Sequence, residues 1–149
     1  MGYNSAIQAL RDKCETAKGN LYFDIGTIRD FNEEDNRDFP LVFVRRPITS
    51  TKVKNANNVI VQEVFNINLQ VLQACKLETQ NVDLEKYFQD MNYIAVALLN
   101  DLLSKDFQIS TGTAIQINKT TDLVVVGWEI PIQLTVDVDS DLCCSFFES

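Results

Sequence analysis

The 149-residue chain contains no histidine. That absence removes the usual general base, the Ser-His and Cys-His nucleophile pairs, and every His-ligated metal site. Cysteine is scarce: Cys14, Cys75, Cys143 and Cys144 include no C-x-x-C pair, so zinc-ribbon and thioredoxin-like chemistry has no motif. Adjacent cysteines stand about 3.8 Å apart at Cα, too close for a relaxed disulfide. Four free thiols in a reducing compartment are expected, with synthesis in a cytosol and with Cys14 and Cys75 acting as small buried hydrophobes. With 5 Gly and 3 Pro, the chain is neither collagen-like nor a disordered linker. Basic residues are in deficit, Lys+Arg 13 against Asp+Glu 21, giving a formal charge of −8. A dedicated nucleic-acid binder would normally carry a large basic face. No run approaches the ~18 apolar residues of a membrane span, so no membrane partner is expected. No phosphate-cradling glycine motif appears. The start Met1-Gly2-Tyr3-Asn4-Ser5 lacks a basic and an apolar signal region, and Ala6 occupies the Ser/Thr slot of a myristoylation motif.

What is present is a patterned globular sequence, 46% hydrophobic, enough for one core. Tyr3, Ile7, Leu10, Cys14 and Ala17 recur at helical spacing, and Gly19 follows as a stop. Leu21, Phe23 and Ile25 alternate as a strand. The polar run RDFNEEDNRD at residues 29–38 reads as a loop. Leu41-Val42-Phe43-Val44 is apolar at both parities, which predicts a strand covered on both faces. Residues 45–54, RRPITSTKVK, hold four cations and no acid, and Pro47 demotes the stretch to loop or edge.

The clearest strand follows. Val59, Val61, Phe65, Ile67, Leu69 and Val71 lie on one face, with Glu63 as intruder, and Gln62, Asn66, Asn68 and Gln70 lie on a polar face expected to meet solvent. A strand of about 13 residues spans roughly 43 Å, so part of it is expected to project as a ribbon. Leu84, Tyr87, Met91, Ile94, Leu98 and Leu102 trace a second helix, widened by Phe88, Ala95 and Leu99. Asp83 suits its N-cap, with Val82 and Tyr87 as a staple. Residues 109–117 read as a weaker strand containing Gly112, and residues 118–122 as a turn. Finally Trp128, Ile130, Ile132, Leu134, Val136 and Val138 alternate strictly with polar residues. Pro131 makes that strand an edge, or bulges it.

The order α-β-β-β-α-β-β predicts an α+β fold: a mixed, mainly antiparallel sheet with two helices packed on one face. One domain over residues 1–142 and an apolar C-terminal arm over 143–149 are expected.

Three stretches invite functional readings. Asp137, Asp139 and Asp141 mimic the start of an EF-hand loop, with Glu148 at the twelfth position, but Leu142 stands where the turn requires Gly. A solvated acidic strand end is the favoured reading, and no metal or cofactor is expected. The cations Arg45, Arg46, Lys52 and Lys54 are solvated loop charge, a contact to an acidic partner, or a phosphate contact; no interleaved aromatics offer a base-stacking platform. The run Cys143-Cys144-Ser145-Phe146-Phe147 packs on its own domain, docks a neighbouring subunit, or is disordered. The candidate partner contacts are therefore Arg45, Arg46, Lys52, Lys54, Phe146 and Phe147.

In element order and local texture, residues 3–138 resemble the tail terminator and related head-to-tail joining proteins of tailed bacteriophages. The resemblance runs through the opening helix at residues 5–18, Phe39-Pro40 before the strand Leu41-Val42-Phe43-Val44, and the long alternating strand from Val59 to Leu69. The long helix and the final strand from Trp128 to Asp137 complete it. The basic stretch 45–54 and the apolar stretch 143–149 depart from the family pattern. The resemblance implies a non-enzymatic virion protein, assembled in the host cytoplasm as a homo-oligomeric ring that contacts neighbouring neck or tail rings. DNA would pass through such a ring without sequence-specific binding, because an acidic lining repels phosphate. A small non-enzymatic adaptor or binding domain is the alternative.

Overall fold

The computed structural model describes residues 3–27, 38–75, 81–103, 107–120 and 124–138. Its elements are α1 (Tyr3–Glu15), β1 (Tyr22–Gly26), β2 (Leu41–Lys54), β3 (Ile60–Cys75), α2 (Asn81–Leu103), β4 (Gln108–Thr111), β5 (Ile115–Thr120) and β6 (Val124–Asp137). The strands form one six-stranded sheet in the order β1-β2-β3-β6-β4, with β5 also on β6. Only the β1–β2 pair is parallel among the described pairs. The fold is thus α+β with a mixed, mostly antiparallel sheet.

Both helices pack on one face. α1 buries Ala6, Ile7, Leu10 and Cys14, and α2 buries Met91, Ala95, Leu98, Leu99 and Leu102. They meet Val42 and Val44 of β2, the odd-numbered residues 65–71 of β3, and the even-numbered residues 130–136 of β6. These follow from the period-two pattern of strands and the 3.6-residue pattern of helices. The N-terminal half of α2 adds a satellite cluster in which Phe88 covers Val124 and Val126 and its carbonyl accepts the Trp128 indole N–H at 2.8 Å. On the opposite face Leu41, Phe43, Leu72, Ile117 and Val125 form a second buried cluster containing no helix residue. That explains the double-parity apolar run at residues 41–44: all four side chains are buried, on alternate faces.

Several local expectations are corrected. The strand with Pro131 is not an edge: β6 is interior, with β3 on one side and β4 and β5 on the other. The proline has no N–H to give, and the neighbouring edge is interrupted there instead. β4 ends at Thr111 opposite Ile132 and β5 resumes at Ile115 opposite Glu129, while Gly112 N–H bonds the Pro131 carbonyl at 2.8 Å. A side chain on Gly112 would run into the Pro131 ring. The segment read as one strand at 109–117 is therefore two, and Asn118, read as turn, lies in β5. Of the two alternatives for residues 45–54, loop or edge, the edge holds: they belong to β2, which beyond Arg45 pairs with β3 alone among the described pairs. Helix α2 begins at Asn81, so Asp83 is not the N-cap; it stands in the first turn, where its charge favours the helix dipole. α1 closes at Glu15, with Thr16 N–H and Oγ1 both donating to the Asp12 carbonyl, before Ala17 and Gly19 are reached.

Gly127 is required by close approach. It sits opposite Leu72, and a β-carbon there would overlap the Val71 carbonyl of β3.

Candidate interaction surface

The β2–β3 hairpin is built in two halves. Leu41 to Arg45 pair in register with Leu72 to Asn68, flanked by β1 as far as Gly26 opposite Arg45. Pairing then jumps to Thr49 opposite Asn66, so Arg46, Pro47 and Ile48 bulge out of the ladder. Pro47 lacks the N–H that the ladder would use, which locates the bulge. Beyond it β1 has ended, and residues 49–54 are exposed along their whole length. Val53, Val59, Ile60 and Val61 lie near the tip, each at least 36% exposed. The projecting ribbon anticipated from strand length is present, and β6 supports it as far as Gln62 opposite Asp137.

The turn is held by Asn55, whose Oδ1 accepts the N–H groups of Asn57 at 2.9 Å and Val59 at 3.1 Å. Asn58 adopts φ of 63°, a left-handed conformation that asparagine tolerates.

The four cations of this segment are not brought together. Arg45 Nε pairs with Glu129 at 2.6 Å on the helix-free face, and Gln70 Nε2 donates to the same carboxylate at 3.2 Å. Gln70, expected in solvent, is 2% exposed. Its side chain is covered because it lies between Arg45 and Glu129 and beside the Phe43 cluster. Lys52 pairs with Glu63 across the hairpin at 2.6 Å, and Ser50 Oγ donates to that carboxylate at 3.1 Å. Hydrogen bonding from Lys52 holds the Glu63 carboxyl below its usual range, against partial burial and with help from Ser50 and the lysine charge. This explains the one acid on the apolar parity of β3. Arg46 and Lys54 are exposed, at the bulge and at the tip. Phe146 and Phe147 lie outside the described residues, as do Asp139, Asp141 and Glu148.

Next to the Arg45–Glu129 pair, the helix-free face carries a trough of about 520 Å³ lined by Thr49, Asn66, Asn68, Ser110 and Gln133. Sequence reading missed Gln70 and Glu129 as a linked pair. Each was visible on a polar parity, but their alignment depends on the β3–β6 register.

Burial, with the Glu15 charge adding to it, pushes the Cys14 thiol up to about 12, so it is inert at neutral pH. Among the described residues no three acidic, cysteine or histidine side chains are grouped to hold a metal ion. No helix among them is long and apolar enough to cross a membrane.

Compared with known proteins, the chain matches no family model and no curated protein.

Proposed function

We propose that the protein is a structural subunit of a ring in the neck or tail of a tailed bacteriophage, a tail terminator or head-tail connector surrounding the DNA channel. The observation that carries this reading is the outer half of the β2–β3 hairpin, whose residues 49–54 are exposed, have no partner on the far side of β2 among the described residues, and end in apolar residues near the tip. An exposed strand edge is a template for pairing with another chain, and proteins that keep one long and ordered either blunt it or use it. The exposed charge of Lys54 limits indiscriminate pairing and suits an acidic neighbour. In a closed ring each subunit offers one patch and receives a different one, so an arm on one side and a receptive surface on the other suit heterologous assembly. The net charge of −8 fits a channel through which DNA slides. The fold supplies shape and contact surfaces, and no residue of it is assigned a catalytic role.

The test is a reconstruction of the particle that carries the protein, alongside electron micrographs of the purified chain. Several copies in a closed ring on the DNA axis are expected. One isolated copy in the particle would overturn the reading, and a soluble monomer holding a single non-viral partner would favour an adaptor.

A further inference from the structure

We infer that the trough on the helix-free face of the sheet is a binding site for a neutral, polyhydroxylated ligand, a saccharide. The inference stands apart from the ring reading and goes beyond it. The strand registers build the site. Thr49, Asn66, Gln133 and Ser110 are successive partners across β2, β3, β6 and β4, so they form one row on this face. Three strand spacings of ~4.8 Å give the row a length of about 14 Å. The next row holds Arg45, Asn68 and Pro131. Pro47 bounds the trough at the β2 bulge, and Gly112 bounds it at the break between β4 and β5. Its volume of about 520 Å³ is in the range of small-molecule sites.

The ligand class follows from the lining. Arg45 is the one charged residue there among the described residues, and its Nε is committed to Glu129 at 2.6 Å. With that charge balanced, a carboxylate or phosphate gains little, and Glu129 repels it. The other polar side chains are carboxamides and hydroxyls, which both donate and accept. The hydroxyls of a saccharide do the same. Asn66 is held by donating from Nδ2 to Thr49 Oγ1 at 3.1 Å, which leaves its own carbonyl oxygen to accept. Asn68 is half-buried, and its carboxamide makes no hydrogen bond among the described residues. A half-covered amide without a protein partner has to be satisfied by a ligand or by water. The rings of Pro47 and Pro131 add apolar surface for the C–H face of a sugar ring. Position disfavours an extended peptide. A peptide joins a sheet through main-chain bonds at an edge, and this trough lies across β3 and β6, the two interior strands.

Titration of the isotope-labelled protein, followed by NMR of its side-chain amide groups, tests this. The probes are maltotetraose, cellotetraose and tetra-N-acetylchitotetraose, with sodium acetate and inorganic phosphate as the anions. At least one saccharide is expected to shift the Asn66, Asn68 and Gln133 side-chain signals together and saturably, with a dissociation constant in the millimolar range or tighter. Asn68→Ala with Gln133→Ala should weaken that binding roughly tenfold or more, as the loss of two neutral hydrogen bonds does. Gln133→Ala alone, at an exposed position where the fold is not at stake, should weaken it about threefold. Gln116→Ala, beside α2 on the other face, should leave it unchanged. Three results would each overturn the inference: no saccharide moving these signals, binding untouched by the Gln133 and double variants, or an anion binding more tightly than every saccharide.

Discussion

The inner and outer halves of the β2–β3 hairpin use the same two strands and the same pairing, yet differ in almost every property. Residues 41–44 are buried on both faces, while residues 49–54 are exposed. The outer half is no less apolar at its own tip, where Val53, Val59, Ile60 and Val61 stand in solvent. Burial here is decided by neighbours rather than by strand sequence: β1 ends opposite Arg45, and the two helices stop covering the sheet near Phe65 and Val136. The hairpin is therefore anchored by one half and presented by the other, with the Pro47 bulge at the boundary.

Paired substitutions separate the halves. Leu69→Ala, in the inner half at 0% exposure, should cost about 2–5 kcal/mol in urea unfolding. Val61→Ala, in the outer half, should stay within ~0.5 kcal/mol. Equal losses would break the comparison. The next effect is in the cations. Arg45→Glu puts a second carboxylate beside Glu129 and loses a charged hydrogen bond, for about 1.5–3 kcal/mol, whereas Lys54→Glu should be near neutral for stability. A charge-reversal series aimed at assembly should therefore change Arg46 and Lys54 and spare Arg45 and Lys52, both of which have internal carboxylate partners.

Gln70→Ala should cost about 1–2 kcal/mol by thermal melting, because it empties a buried site and removes a donor from Glu129. A negligible loss would place the side chain in solvent after all. The smallest effect is the pH dependence of the outer half. The folded carboxyl of Glu63 is held below its ordinary 4.5, so its contribution is present above that value and is lost as pH falls through the folded value. Both groups are partly exposed, so the contribution stays below ~1 kcal/mol. Glu63→Gln should flatten the acid limb of the stability curve slightly, measured as unfolding midpoint against pH.

Much of the fold was legible. Met91, Leu98 and Leu102 marked the core face of α2, and Ile67, Leu69 and Ile132, Leu134 marked the buried parities of β3 and β6, because periodicity records which face is covered. What was not legible depends on pairing between distant strands. Pro131 argues for an edge in isolation, and its tolerance inside the sheet comes from a break in the adjacent edge at residues 112–114. Gln70 looks solvated until Arg45 and Glu129 are known to flank it. The cations of residues 45–54 look like one patch in sequence. The strand spreads them along its length and commits Arg45 and Lys52 to internal partners. Residues 146 and 147 were singled out by composition alone and lie outside the described residues.

The position of β6 carries a consequence for synthesis. This strand forms the middle of the sheet, but it emerges after more than 120 residues, so the long edge of β3 has no partner until late in translation. Until then the nascent chain exposes Phe65, Ile67 and Leu69 along an unpaired strand, a state open to association with other nascent chains on the same message. Pairing residues 62–75 with residues 124–137 is also a high-contact-order step, slow compared with closure of the β2–β3 hairpin. Ribosome-bound chains halted before residue 124 should accordingly be protease-sensitive and recruit hydrophobic-surface chaperones, and release of β6 should end both.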